Sequence, residues 1–268
     1  MPMKLESRSI SVVGRERPHN EDSYYSSDEL GLYVVADGMG GHAHGEVASR
    51  IAVETVNEFI TRTADDSDMT WPCGIDEELT LNGNRLKTSI RFANQKLLEH
   101  SKSSSDCEGM ATTVVGVIVQ DDHADIAHVG DSRLYLVRDG GMRGLTNDHS
   151  WVNEQVQSGV IDNEQARTHP LRNVVTRSLG DKPELEVDVQ SLALEPDDRL
   201  LLCSDGLTTM LDDDEILRIV IDGDGGVAQA DKLVEAANGS GGEDNITAIL
   251  LWFHRVIAPP PTSPPLAM

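Results

Sequence analysis

The chain has 268 residues, 38% of them apolar, with 22 basic against 46 acidic side chains and a formal charge of −24. That length allows one substantial core, and the charge would repel nucleic-acid phosphates and anionic membrane surfaces, so neither is an expected partner. No stretch approaches the roughly 20 apolar residues of a membrane span, the N-terminal MPMKLESRSI lacks a secretory apolar run, and Cys73, Cys107 and Cys203 lie far apart with no CxxC pair. The expectation is a cytosolic protein without a zinc site or a disulfide framework.

Residues 9–13 read as a short strand, and residues 32–36 as a buried strand running into the glycine-rich turn Asp37-Gly38-Met39-Gly40-Gly41. Apolar residues recur at helical spacing over 45–61 and again over 86–100, with a polar loop at 63–84 between them. Strand patterns follow at 112–119, 125–128 and 134–137, each bounded by Asp or Gly turn residues. Residues 149–171 turn polar and helical in short pieces, the pattern of a surface flap. Strands resume at 173–176, 186–192 and 199–203; helices are predicted from near Asp212 and over 227–238, and a strong strand over 246–253. The segment 258–268, with Pro-Pro-Pro and Pro-Pro, reads as an extended or disordered tail after a domain spanning 1–257. Grouped strands, paired helices and no regular βαβ alternation predict an α+β fold, a central antiparallel β-sandwich with helices outside in α-β-β-α layers.

Aspartates beside glycine or asparagine recur at the ends of these runs, in Val-Val-Ala-Asp37-Gly38, Leu-Cys-Ser-Asp205-Gly206 and Gly-Glu-Asp244-Asn245, with His-Val-Gly-Asp131-Ser-Arg of the same character. Each alone is an ordinary turn. Together with the upstream Arg17-Pro-His-Asn20-Glu21-Asp22 they form a set of oxygen donors, and hard ions such as Mg²⁺ and Mn²⁺ prefer a few carboxylates completed by water. A calcium-binding structural role is disfavoured, because the Asp-x-Asp-x-Asp-Gly loop is missing from the sequence.

Seven pieces in order carry a resemblance to a known family: Arg17 to Ser23, Val35 to His42, Gly109-Met110-Ala111-Thr112-Thr113, Val129-Gly130-Asp131-Ser132-Arg133, Arg177-Ser178-Leu179-Gly180, Cys203-Ser204-Asp205-Gly206-Leu207 and Asp244-Asn245-Ile246-Thr247. The sequence resembles the metal-dependent type 2C (PPM) serine/threonine protein phosphatases, bacterial branch, over about residues 5–254. The resemblance implies hydrolysis of phosphoserine and phosphothreonine on proteins at a binuclear Mn²⁺ or Mg²⁺ centre. By it, Asp37 bridges the two ions, Gly38 offers its carbonyl to one, and Asp205 and Asp244 bind the other. Glu21 and Asp22 act mainly through water, and Asp131 with Asp205 holds a third, weaker ion. Arg17 matches the arginine that grips the substrate phosphate, to which its planar fork is suited. Animal members carry a histidine where this chain has Met39, so the proton donor to the leaving group is open between water and His42, for which a structural use is favoured.

The chemistry implied is coherent. A phosphate monoester dianion repels hydroxide, and two ions a few Å apart gather its oxygens and make a nucleophile available at neutral pH. No cysteine begins a Cys-x5-Arg loop, and Cys203 sits in an apolar run that reads as core. Arg133, Thr112 and Thr113 read as residues that hold the site's shape. The alternatives are a catalytically silent member acting as a binding or sensor module, which should lack one of the four aspartates, and another metal hydrolase acting on nucleic acids or small phosphomonoesters, against whose polyanionic substrates the charge argues. By context the expected partners are phosphoprotein substrates and an opposing Ser/Thr kinase, with the chain a monomer.

Overall fold

Alternate residues of β3 (Leu32–Met39) face opposite ways, and both faces are covered. Leu32, Val34 and Ala36 pack on α1 (His44–Thr63) and α2 (Leu81–Ser103), while Tyr33 and Val35 meet Leu134, Leu202 and Phe253 across a second sheet. Burial on both faces is why this strand reads as an unbroken apolar run. The computed structural model describes residues 3–40, 44–64, 74–103, 109–222 and 226–255.

One sheet has the order β2 (Asp22–Ser27), β3, β5 (Val114–Gln120), β6 (His123–Val129), β9 (Asp188–Ala193), with β4 (Ala111–Thr112) also pairing β3. The other runs β1 (Met3–Val12), β11 (Ile246–Arg255), β10 (Arg199–Cys203), β7 (Arg133–Arg138), β8 (Gly141–Gly144). All of these pairings are antiparallel. The outer face of the second sheet, with Leu201, Cys203, Ala248 and Leu250, is covered by the single turn α5 (Asp205–Thr208) and by α6 (Asp213–Ile221) and α7 (Gln229–Gly239). The α-β-β-α layering expected from the sequence is the observed architecture. Cys203 is buried in this core.

Several boundaries differ for physical reasons. Residues 173–176 form no strand; they make turns with one isolated bridge, Ser150↔Val175. Strand β2 escaped prediction because its residues Asp-Ser-Tyr-Tyr-Ser-Ser are mostly polar and half-buried at a sheet edge, where one side of the strand has no partner to enforce an apolar pattern. The predicted strand 112–119 is broken at Thr113, which leaves the ladder to donate its N–H to the Asp37 carbonyl at 2.9 Å. Helix α6 begins where the sequence placed it: Asp212 caps the Glu215 N–H at 2.8 Å and Glu215 returns the bond to the Asp212 N–H at 3.1 Å. Cys73, Cys107, His42 and the 258–268 tail lie outside the described residues.

Candidate metal centre

The expected ligands converge at one end of the sandwich. Asp22 opens β2 and stands opposite Asp37 in the β2–β3 register. Asp131 lies in the turn between β6 and β7, Asp205 opens α5 directly after β10, and Asp244 lies two residues before β11. One sheet therefore carries Asp22 and Asp37, and the other carries Asp205 and Asp244 on its adjoining loops. Arg17 sits at the mouth, half exposed, with Nη2 donating to Asp244 Oδ2 at 2.6 Å.

Short polar side chains fix this arrangement. Asp22 Oδ2 accepts the hydroxyls of Ser204 at 2.7 Å and Thr247 at 2.6 Å, which ties one sheet to the other beneath the site. The Asn245 amide accepts the Glu21 N–H at 2.7 Å and donates to the carbonyls of Val13 and His19, so the loop bearing Glu21 is held against the start of β11. The Asp37 N–H donates to Thr113 Oγ1 at 3.0 Å, and the Asp37 carbonyl accepts from Thr112 Oγ1 at 2.8 Å. Gly38 has a reason beyond its carbonyl: a Cβ there would lie 2.0 Å from the Gly45 carbonyl oxygen, so the first turn of α1 and this strand approach only because both residues are bare.

The electrostatics are those of a site built for cations. Burial, then the charges of Asp22, Asp205 and Asp131, hold the Asp37 carboxyl well above its ordinary range. Asp205 is itself pushed up by burial and by Asp244, and the two neighbouring carboxyls of Asp37 and Asp205 act on one another. Burial raises Asp22 to about 7 against the opposing hydroxyls of Thr247 and Ser204, and raises Asp131 to about 8 with the neighbouring charges of Asp205 and Asp148. Glu21 is raised by burial as well. Asp22 Oδ1 and Asp205 Oδ1 are buried with no hydrogen-bond partner among the described residues. Two orphaned carboxylate oxygens and an all-oxygen donor set fit Mg²⁺ or Mn²⁺, which would supply the missing positive charge.

A cleft of about 890 Å³ opens beside Asp131 and Asp205, walled on one side by α3 (Trp151–Gln157) and α4 (Asn163–Thr168), and on the other by Asp212, Asp213 and Glu215. The flap expected at 149–171 thus borders the site, and its neck closes at the Ser150↔Val175 bridge. Arg133 is a shape-holding residue as expected, with Nε and Nη2 on the Asp148 carboxylate at 2.9 and 2.7 Å.

A second cluster, His128, His149 and Asp188, brings its ligand-type atoms within 4.8 Å of one another at the flap neck. It does not suit a metal. His149 Nδ1 accepts the Gly130 N–H at 3.0 Å, and Nε2 stands between Asp188 Oδ2 at 3.3 Å and Arg177 Nη1 at 3.1 Å, so both ring nitrogens are already engaged. The Arg177 guanidinium already provides the cation, with Nη1 at 2.6 Å from Asp188 Oδ1. Burial holds both imidazoles below their ordinary range. Sequence reasoning missed His149, Asn245, Ser204 and Thr247 as site-building residues; the last three stand inside the seven sequence motifs, whereas His149 carried no signal beyond opening the flap.

The protein phosphatase 2C sequence pattern matches residues 15–238. The chain is 38% identical over 246 residues to the serine/threonine phosphatase stp of Listeria innocua, covering 89% of this chain and 92% of that one. Its fold is similar to the crystal structure of the Mycobacterium tuberculosis serine/threonine phosphatase PstP/Ppp, with a TM-score of 0.82 and 33% identity over 94% of this chain and 99% of that one. It is similar also to the PstP catalytic domain in complex with two manganese ions, at a TM-score of 0.79 and 31% identity over 94% and 100% of the two chains. The chain belongs to the protein phosphatase 2C family of metal-dependent serine/threonine phosphatases.

Proposed function

We propose that Asp37, Gly38, Asp205 and Asp244 hold two Mn²⁺ or Mg²⁺ ions, with Glu21 and Asp22 acting through water and Asp131 with Asp205 holding a third, weaker one, and that this chain removes phosphate from phosphoserine and phosphothreonine of proteins. The observation that carries the reading is the convergence of these carboxyl groups, with two buried oxygens left without partners among the described residues. When bound, such ions supply Lewis acidity toward water and the phosphoryl oxygens. The chain's own residues do the rest. Arg17, half exposed and anchored on Asp244, presents its fork to the incoming dianion at the mouth. Asn245, Thr113, Ser204 and Thr247 keep the carboxylates from relaxing apart, which is preorganisation in the sense that matters for charge developing in a transition state. The cleft beneath the flap receives the residues that flank the phosphorylated side chain. The opposing enzyme is a Ser/Thr kinase, and the chain works as a cytosolic monomer.

The test is hydrolysis of a phosphothreonine peptide by chain stripped with chelator and then titrated with Mn²⁺ and Mg²⁺, with Asp37→Asn alongside. Turnover that depends on the ion and disappears in the variant is the expected result. Turnover by Asp37→Asn equal to the parent's would overturn the assignment of Asp37 as a residue that would hold the ions.

A further inference from the structure

We infer that His149 is a positioning residue that fixes the backbone at Gly130-Asp131 and the neck of the flap as one unit. The inference rests on the reading of Asp131 as part of the site. His149 makes both hydrogen bonds of Gly130: its N–H donates to the Gly130 carbonyl at 2.9 Å, and its Nδ1 accepts the Gly130 N–H at 3.0 Å. Its own carbonyl accepts the Thr176 N–H at 2.8 Å, and the Trp151 N–H donates to the Val174 carbonyl at 2.9 Å, so both ends of the flap are gathered on this residue.

The ring is itself locked. It stacks on His128 with centroids 4.7 Å apart, and His128 Nε2 is tied to the Asn147 carbonyl at 3.0 Å. Asp188, itself ion-paired with Arg177, faces the Nε2 side. The residue is 8% exposed, so neither solvent nor a rotamer change offers Gly130 another acceptor.

Gly130 cannot yield in the other direction. Its φ is +109°, and a Cβ built on it would lie 2.6 Å from Thr113 Cβ and Cγ2. Thr113 Oγ1 receives the Asp37 N–H and meets the Ser132 hydroxyl at 2.7 Å. The line flap, His149, Gly130, Thr113, Asp37 is therefore a continuous packed and hydrogen-bonded path, in which the His149 side chain joins the flap neck to the backbone beside Asp131.

The experiment separates the two ring nitrogens. Asparagine places an acceptor where Nδ1 stands and nothing where Nε2 stands, so His149→Asn preserves the Gly130 bond while His149→Leu removes it. Amide hydrogen exchange on metal-free protein is the primary readout, because it does not depend on the catalytic reading. His149→Leu is expected to speed exchange at Gly130 and across 150–176 by about tenfold while the sheets keep their protection. His149→Asn is expected to restore Gly130 but not the flap. In the active enzyme, His149→Leu should raise the half-saturating Mn²⁺ concentration about fivefold, the worth of one net hydrogen bond, and His149→Asn should bring it back. Equal exchange in the parent and His149→Leu overturns the inference, as does a His149→Asn variant that behaves like His149→Leu at Gly130. Should His149→Leu not fold, the same comparison is read from His149→Asn against Asp188→Asn, which keeps the ring and its Nδ1 bond while weakening the Nε2 side together with the Arg177 ion pair. Gly130 protection kept in both variants, with faster exchange across the flap, is the expected result; loss of Gly130 protection in His149→Asn overturns the inference.

Discussion

The metal-free chain should lose stability as pH rises, and divalent ions should reverse that. Asp22 and Asp131 have folded-state values of about 7 and about 8 against the ordinary 3.8. A carboxyl whose folded pKa is raised stays protonated in the folded chain after it has ionised in the unfolded one. Its contribution to stability is most favourable below the unfolded pKa and is lost progressively up to the folded pKa. Between pH 5 and pH 8 each group then removes about 3 kcal/mol, because every pH unit over which the folded chain holds one proton more than the unfolded chain costs about 1.4 kcal/mol. On a domain of this size that corresponds to a fall in Tm on the order of 10 °C. The assay is thermal unfolding of chelator-treated protein across this range, with and without excess Mg²⁺. Because the formal charge of −24 adds a background slope of the same sign, Asp22→Asn with Asp131→Asn serves as the control and should flatten the apo curve. An apo protein whose Tm rises from pH 5 to pH 8, or a double variant with the parent's slope, would refute the account of these two groups.

Two further outcomes are expected. Phosphopeptides with basic residues beside the phosphothreonine should be turned over faster than acidic ones at low salt, because Asp212, Asp213 and Glu215 line one wall of the cleft; the difference should shrink as ionic strength rises, and equal kcat/KM values at low salt would count against the acidic wall as a selector. Gly38→Ala should lower kcat by more than about tenfold and Tm by several degrees, since its methyl would stand 2.0 Å from the Gly45 carbonyl and the strand must shift; parental activity at the same Mn²⁺ concentration would mean that α1 moves aside freely.

Layering and candidate metal-binding carboxylates were legible in the sequence for different reasons. The strands buried on both faces, β3, β5, β10 and β11, announced themselves as continuous apolar runs, whereas β2 and β8 at the sheet edges carried too little apolar pattern to be seen. The aspartates were legible because each follows or precedes such a run. The residues that hold them were not: Ser204, Thr247 and Asn245 are ordinary polar residues at strand ends, and only the approach of two sheets places the first two on one Asp22 oxygen. Arg17 was expected at a phosphate, and the structure adds its ion pair with Asp244, a contact between residues 227 positions apart that no spacing could suggest.

The placement of the carboxylates also explains why stability and activity should be inseparable here. Asp22 and Asp37 belong to one sheet, Asp205 and Asp244 to the loops of the other, and the apolar sandwich between them closes at its core without reference to this end. At the rim, the two sheets are joined through the hydroxyls of Ser204 and Thr247 on Asp22. A proton neutralises one carboxylate and holds one partner, whereas a divalent ion can neutralise several and bridge both sheets. The same convergence that raises these carboxyl groups in the metal-free chain is therefore what an ion would relieve, and any variant that lessens the convergence should stabilise the metal-free protein while weakening its hold on the ion.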